Sequence, residues 1–293
     1  MLNNVGYFTK FDKIEGYVTK NQSAITQVVS SAISDKSHFK LTDVLEDGHY
    51  VSSLSGITES LNHLVRDYND VYYRKEVEPL VNYILKEAFS ITSSNGFDII
   101  IPGSGAGRIA YEISKHLKTS QVYSIELNGM MYALNTALYK CKNRISILPF
   151  VLDYSNHLEV SEQARAFEID FKSFQKPDNL EILCENFLRF TPTTANKDKI
   201  GVVVTAFFMD TAENILEYME KIESLKKYYK SIHWINIGPL KYGTRPKVVL
   251  TADEWTKLRQ NRGWKDTSTN LNVAEEHGYQ TNYKALYKGR YTV

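Results

Sequence analysis

The chain has 293 residues, 43% apolar and 24% charged, with 35 Lys and Arg set against 34 Asp and Glu. That length can bury a substantial core in one large domain or two small ones, and a net charge of +1 gives no general field for nucleic acid or a membrane surface. Cys141 and Cys184 are too few for a disulfide framework or a zinc site, and no run reaches the ~20 apolar residues of a membrane span, so a metal-free cytoplasmic protein is expected.

Met1 to Lys20 is polar and aromatic and lacks the apolar core of a signal peptide. Residues 1 to about 50 show no strong periodicity beyond a short helix expected over Ala24–Ile33, and read as an appendage on the main body. From Gly56 the spacing is helical, with Ile57, Leu61, Leu64, Val65 and Tyr68 recurring at three and four. A second helix is expected over Val71–Phe89, with Pro79 in its first turns, where proline is tolerated.

Strands and helices then alternate. Asp98–Ile101 is the first expected strand and Arg108–Leu117 its helix; Gln121–Ile125 is the second, ending at Glu126 and followed by a helix over Gly129–Tyr139. Residues 145–179 break the rhythm and read as an insertion, a lid or acceptor wall carrying Asp153, Ser155, Asn156, Arg165 and Asp170. Leu180–Cys184 is the third strand, and the β-branched run Gly201–Phe208 the fourth. Asp210 or Thr211 is expected to cap a helix running through Tyr228. Ser231–Ile237 is the fifth strand, closed by Gly238-Pro239; a helix near Ala252–Gln260 and two strands, about Thr269–Val273 and Lys284–Tyr291, complete a seven-stranded, mostly parallel α/β sheet.

In such a sheet the loops after successive strands meet at one crevice. The first of them, Ile101-Pro102-Gly103-Ser104-Gly105-Ala106-Gly107-Arg108, places glycines at alternate positions between a buried strand and a helix, which suits a backbone lying against a nucleotide-like ligand. Glu126 stands 21 residues beyond Gly105, the spacing of an acid that accepts hydrogen bonds from ribose hydroxyls. Asn186 can pair with an adenine edge while Phe187 packs on the ring; Asp210 and Asn236 through Tyr242 fill the remaining loops. Both NAD and S-adenosylmethionine fit glycines plus an acid, and the G-x-G-x-G spacing leans away from NAD, whose fingerprint is G-x-G-x-x-G. Arg66, on the helix from Gly56, can fix a carboxylate through a bidentate contact.

Four ordered stretches carry a resemblance. His63-Leu64-Val65-Arg66-Asp67-Tyr68, the glycine loop through Ala110, Ala206-Phe207-Phe208-Met209-Asp210-Thr211-Ala212-Glu213-Asn214-Ile215, and Trp234-Ile235-Asn236-Ile237-Gly238-Pro239-Leu240 together resemble the carnosine N-methyltransferase family over roughly residues 50 to 293. The resemblance implies a class I methyltransferase (Rossmann-like) fold, with a helical region over 1–92 covering the cofactor and a methyltransferase domain over 93–293. It implies S-adenosylmethionine as cofactor and a histidine imidazole, in a small peptide or a protein, as methyl acceptor. By position, His63 (where the family has glutamine) and Arg66 would contact the methionine end of the cofactor, Gly103, Ser104, Gly105 and Gly107 would lie beneath it, and Glu126 would hold its ribose. Asn186 and Phe187 would meet the adenine, and Ala206 would stand beside the cofactor. Asp210, the catalytic candidate, would hold the acceptor imidazole together with Asn236, Tyr242 and Tyr283. Gly243 stands where the family has a substrate-contacting histidine, which leaves other nitrogen or oxygen nucleophiles, or a non-catalytic cofactor-binding protein, as alternatives.

Overall fold

A computed structural model describes residues 1–33, 54–91, 96–117, 120–193, 197–240, 242, 245–270, 278–279, 284 and 291–292. Its centre is a five-stranded sheet of β1 (Phe97–Pro102), β2 (Val122–Glu126), β5 (Leu180–Cys184), β6 (Ile200–Ala206) and β7 (Ser231–Ile237), in the order β5-β2-β1-β6-β7 and parallel throughout. Parallel strands need long crossovers, and here helices supply them: α4 (Arg108–His116) after β1, α5 (Gly129–Lys140) after β2 and α6 (Ile215–Ser224) after β6. This is a doubly wound, class I methyltransferase-like sheet.

Side-chain alternation explains why both faces are covered. Ile99 and Ile101 of β1 join Val202, Val204, Ile235 and Ile237 beneath α4 and α3 (Glu78–Ile91), while Ile100 and Val203 point to the other face, under α6 and α7 (Ala252–Asn261). β1 also carries a charge inside the sheet: the fully buried Asp98 accepts hydrogen bonds from Lys199 Nζ at 2.9 Å and the Tyr229 hydroxyl at 3.2 Å. Both carboxylate oxygens are therefore satisfied, as a buried carboxylate requires.

The N-terminal segment differs from its sequence reading. It forms one 25-residue helix, α1 (Thr9–Ile33), rather than a short helix over Ala24–Ile33. Its inward positions include polar Asn21, which blurs the apolar period that propensity reading relies on. Asn21 compensates by donating to the Leu148 carbonyl at 2.9 Å and accepting from the Leu148 amide at 2.8 Å. α2 (Leu54–Tyr68) follows, then a helical turn at Asp70–Tyr72 passes through a π-helical turn, Tyr73–Val77, into α3.

Residues 145–179, expected as a lid or acceptor wall, hold the antiparallel pair β3 (Arg144–Ile147) and β4 (Phe167–Asp170). Ile145, Ile147, Phe167 and Ile169 pack with Leu61, Leu64, Val65, Met131 and Leu134 in a cluster separate from the one around Met209 and Trp255. The ladder buttresses α1 and α2 and does not border Asp210. Arg165 stacks on Phe150 and Phe167, and Asp170 pairs with Arg144 and caps a 3-10 turn, so both serve this buttress. Most of the two expected C-terminal strands, about Thr269–Val273 and Lys284–Tyr291, lies outside the described residues. Among the described residues, β8 (Gly278–Tyr279) pairs antiparallel with β9 (Tyr291–Thr292) as a sheet of its own, and the central sheet has five strands.

Candidate active site

The carboxyl ends of β1, β2, β5, β6 and β7 face one side, and the sequence candidates gather there. At the end of β1, Gly103, Gly105 and Gly107 have φ of 62°, 58° and 89°, the left-handed region that side chains other than glycine rarely adopt. At Gly107 a Cβ would collide with the amide of Asn135, which itself donates to Ser124 at 2.9 Å; at Gly103 it would collide with the Phe208 ring. Gly105 has only His63 nearby, whose Nδ1 lies 3.5 Å from where a Cβ would stand.

Glu126 closes β2 and is locked in place. Its Oε2 accepts from the Gly105 amide at 2.7 Å and its Oε1 from the Asn128 amide at 2.7 Å. Burial raises its pKa, and the Asn128 and Gly105 amides oppose that rise. Beside it, Ser104 donates its amide to the Ile125 carbonyl at 3.0 Å, while its buried hydroxyl has no hydrogen-bond partner among the described residues. A cradle bounded by a carboxylate, an unsatisfied hydroxyl and a glycine backbone suits the hydroxyl-rich part of a nucleoside cofactor, so the residues present fit the expected group.

α2 reaches over this cradle. Tyr68 donates its hydroxyl to the Ala106 carbonyl at 2.7 Å, and Arg108, at the first position of α4, donates to the Asp67 carbonyl at 3.0 Å while stacking on Tyr73. Arg66 is buried, and its Nε donates to the buried carboxylate of Asp67. Burial, with the Arg66 guanidinium beside it, holds the His63 imidazole well below the usual histidine range, so it is neutral at pH 7. Asp67, Tyr68 and Arg108 were not singled out as site residues from sequence; their signal lay in their neighbourhood to Arg66 and the glycine loop.

On the other flank, Asn186 follows β5 and accepts from the Leu188 amide at 2.9 Å through Oδ1, forming a tight turn that buries Phe187. Phe187 meets Phe208 edge-to-face at 5.7 Å, and Phe208 stacks on Tyr218 at 4.5 Å with 7° between the planes. Sequence reading took Phe208 as the end of the fourth strand, Gly201–Phe208, whereas β6 ends at Ala206 and Phe208 joins this aromatic cluster instead. Phe207 then takes φ of 53° against Gly238, a strained conformation that turns the chain sharply away from the strand.

That turn delivers Asp210 into a pocket shared with Asn236, Gly238, Leu240, Tyr242 and Trp255. Asp210 does not cap a long helix as expected. It belongs to a 3-10 turn, Met209–Thr211, and the cap of α6 is Asn214, which accepts from the Leu216 amide at 3.2 Å; α6 ends at Ser224 rather than Tyr228. The carboxylate is thereby released from capping. Burial pushes its pKa above the usual carboxylate range. Asn236 is oriented from behind: Trp234 donates its indole N–H to Thr205 at 2.7 Å, and Thr205 donates its hydroxyl to Asn236 Oδ1 at 2.8 Å. Asn236, held through its Oδ1, lines the same pocket. Tyr283, Gly243 and most of the expected strands over Thr269–Val273 and Lys284–Tyr291 lie outside the described residues.

The family model described as carnosine N-methyltransferase matches residues 45–293. The chain belongs to the carnosine N-methyltransferase family. An uncharacterized protein of Saccharomyces cerevisiae is 34% identical, with 99% of this chain and 71% of that protein aligned. The carnosine N-methyltransferase of Schizosaccharomyces pombe is 26% identical over 66% of this chain, and that of Mus musculus 24% identical over 79%. The chain spans 53% and 59% of those two enzymes. Among solved structures, magnesium protoporphyrin IX methyltransferase from Synechocystis with bound SAM aligns with 85% of this chain and 95% of its own at 11% identity and a TM-score of 0.41. Overlap at that level fixes no residue of the site, and the positions above rest on their own geometry.

Proposed function

We propose that this chain is an S-adenosylmethionine-dependent N-methyltransferase whose acceptor is a histidine imidazole in a small peptide or a protein. The observation that carries the reading is Asp210. It is a half-buried carboxylate without a capping role, set after β6 in a pocket with Asn236 and Tyr242. Family membership supports it, since two of the relatives named above, those of Schizosaccharomyces pombe and Mus musculus, are carnosine N-methyltransferases.

In this reading Gly103, Ser104, Gly105 and Gly107 carry the cofactor, Glu126 holds its ribose hydroxyls, and Asn186 with Phe187 meets its adenine. Arg66 and His63 take the amino-acid end, and Ala206 lines the wall beside it. When bound, S-adenosylmethionine supplies a methyl group on a sulfonium, already activated for in-line displacement. The protein then has to position an acceptor, and orientation alone is worth several kcal/mol. A neutral imidazole is nucleophilic near pH 7 because its pKa is about 6.5. Asp210 accepts the N–H of one ring nitrogen, which fixes the tautomer and points the other nitrogen forward. As the ring gains positive charge the same carboxylate stabilises it, then takes the proton on its way to solvent. Asn236 and Tyr242 complete the wall. Both cysteines are free thiols, which supports the cytoplasmic location that belongs to this reading.

Asp210→Asn tests the assignment. Turnover of a histidine acceptor should fall by about 10²- to 10³-fold, while the affinity for S-adenosylhomocysteine stays unchanged. Near-normal turnover in this variant would remove Asp210 from the mechanism.

A further inference from the structure

Outward from the Asp210 pocket, the segment ending at Thr251 and the first turn of α7 enclose an open groove that shares Leu240 and Tyr242 with that pocket. Its floor is apolar, made by Pro246, Val249 and Leu250, and Val249 is left 64% exposed to solvent. Its rim is Glu254. That side chain is held in place, since its Oε2 accepts from both the Thr251 amide and the Thr251 hydroxyl at 2.8 Å. The bonds are those of a capping box, and they hold the carboxyl below the usual glutamate range, so it is ionised at neutral pH. Among the described residues, Lys247 pairs with Glu213 at 3.7 Å, and Lys257 pairs with Asp253 at 2.6 Å while also lying within electrostatic reach of Glu254. Asp210 and Glu254 both act on the Tyr242 phenol, which places the two carboxylates within electrostatic reach of one side chain. An apolar floor that begins at the acceptor pocket and ends at a fixed carboxylate matches an aliphatic stem with a cationic head, because such a group covers apolar surface while keeping its charge at a polar rim.

We propose that this groove is a second subsite for the methyl acceptor, taking a cation on an aliphatic stem, with the stem on Val249 and Leu250 and the cation at Glu254 while the imidazole sits at Asp210. The assignment rests on the reading of the Asp210 pocket given above. Two sources present that chemistry: the terminal amine of a short histidine peptide, or a lysine side chain adjacent to the acceptor histidine in a longer one.

The test uses Glu254→Gln, in which glutamine keeps the capping box and removes only the charge. Steady-state methylation is measured on two matched pairs, carnosine against N-acetylcarnosine, and an end-blocked peptide with Lys beside its histidine against the same peptide with norleucine there. In the wild-type protein one cationic member should exceed its neutral partner by about fivefold or more in kcat/KM, and that pair identifies the source of the cation. Glu254→Gln should abolish the preference through KM, with kcat on the neutral acceptor, the affinity for S-adenosylhomocysteine and Tm unchanged. A wild-type protein indifferent to charge in both pairs, or a variant that keeps the preference, overturns the subsite while leaving the Asp210 reading intact. If none of the four acceptors is methylated, the reading of Asp210 fails and the subsite falls with it.

Discussion

Glu126 shows how little freedom one side chain of this site retains. Each of its oxygens already receives a backbone N–H, so in Glu126→Gln one of those amides would face an NH₂ group, donor against donor. Lost hydrogen bonds to a charged group cost about 1.5–3 kcal/mol, so S-adenosylhomocysteine should bind at least about tenfold more weakly to this variant, as titration calorimetry would show. Unchanged affinity would remove Glu126 from the cofactor site. His63 makes a prediction of opposite character. Its folded pKa lies well below the ordinary value, so the unfolded chain binds the extra proton first as pH falls. Stability from this group is therefore complete above about pH 6.5 and lost below it, with a slope of at most about 1.4 kcal/mol per pH unit. Denaturant titrations between pH 7 and pH 5 should show that slope in the wild-type protein and a shallower one in His63→Gln; equal slopes would sink the attribution.

At the scale of elements, the N-terminal helices are joined to the sheet by polar contacts set within apolar packing. α1 is pinned by Asn21, whose amide satisfies both backbone groups of Leu148 just beyond β3. Asn21→Ala would leave a buried N–H and a buried carbonyl unpaired, and should cost about 2–4 kcal/mol in chemical denaturation. A cost below about 1 kcal/mol would mean that water or a shifted α1 replaces the contact. α2 is tied down by Tyr68 to the Ala106 carbonyl and by Arg108 to the Asp67 carbonyl, so the helix bearing His63 and Arg66 is positioned by the same loop that carries the three glycines. The loop and the helix that overlies it are therefore tied together, which suits a site that must hold both ends of an extended cofactor.

For the molecule as a whole, the strand order β5-β2-β1-β6-β7 divides the labour across the sheet. Glycines and Glu126 stand over β1 and β2, Asn186 over β5, and the Asp210 pocket over β6 and β7, with β1 and β6 as neighbours where the two halves meet. A cofactor that bridges the N-terminal helices and the sheet binds only the folded chain. At 100 times its dissociation constant, S-adenosylhomocysteine should raise the unfolding free energy by about 2.7 kcal/mol, read as a shift in Tm. NAD at the same concentration should leave Tm unchanged, and stabilisation by NAD alone would overturn the cofactor assignment.

The local sequence settled the features that depend on local physics. Leu180–Cys184 and Ser231–Ile237 were legible to the residue, because buried parallel strands read as continuous apolar runs between turns. Gly103, Gly105 and Gly107 were legible because a strand-to-helix turn of that shape demands left-handed backbone, and the Glu126 spacing followed from the length of one βα unit. Tertiary structure decided the rest. α1 was hidden because its inward residue Asn21 is polar and is satisfied only by Leu148, 127 residues away. The role of residues 145–179 was hidden because a short antiparallel ladder takes its meaning from what it packs against, here α1 and α2. Asp210 read from sequence both as the catalytic candidate and as a helix cap; the cap at Asn214 and the strained turn at Phe207 take the capping role away and leave it in a pocket. Spacing along a chain reports which residues share an element; only packing reports which carboxylate is left over for chemistry.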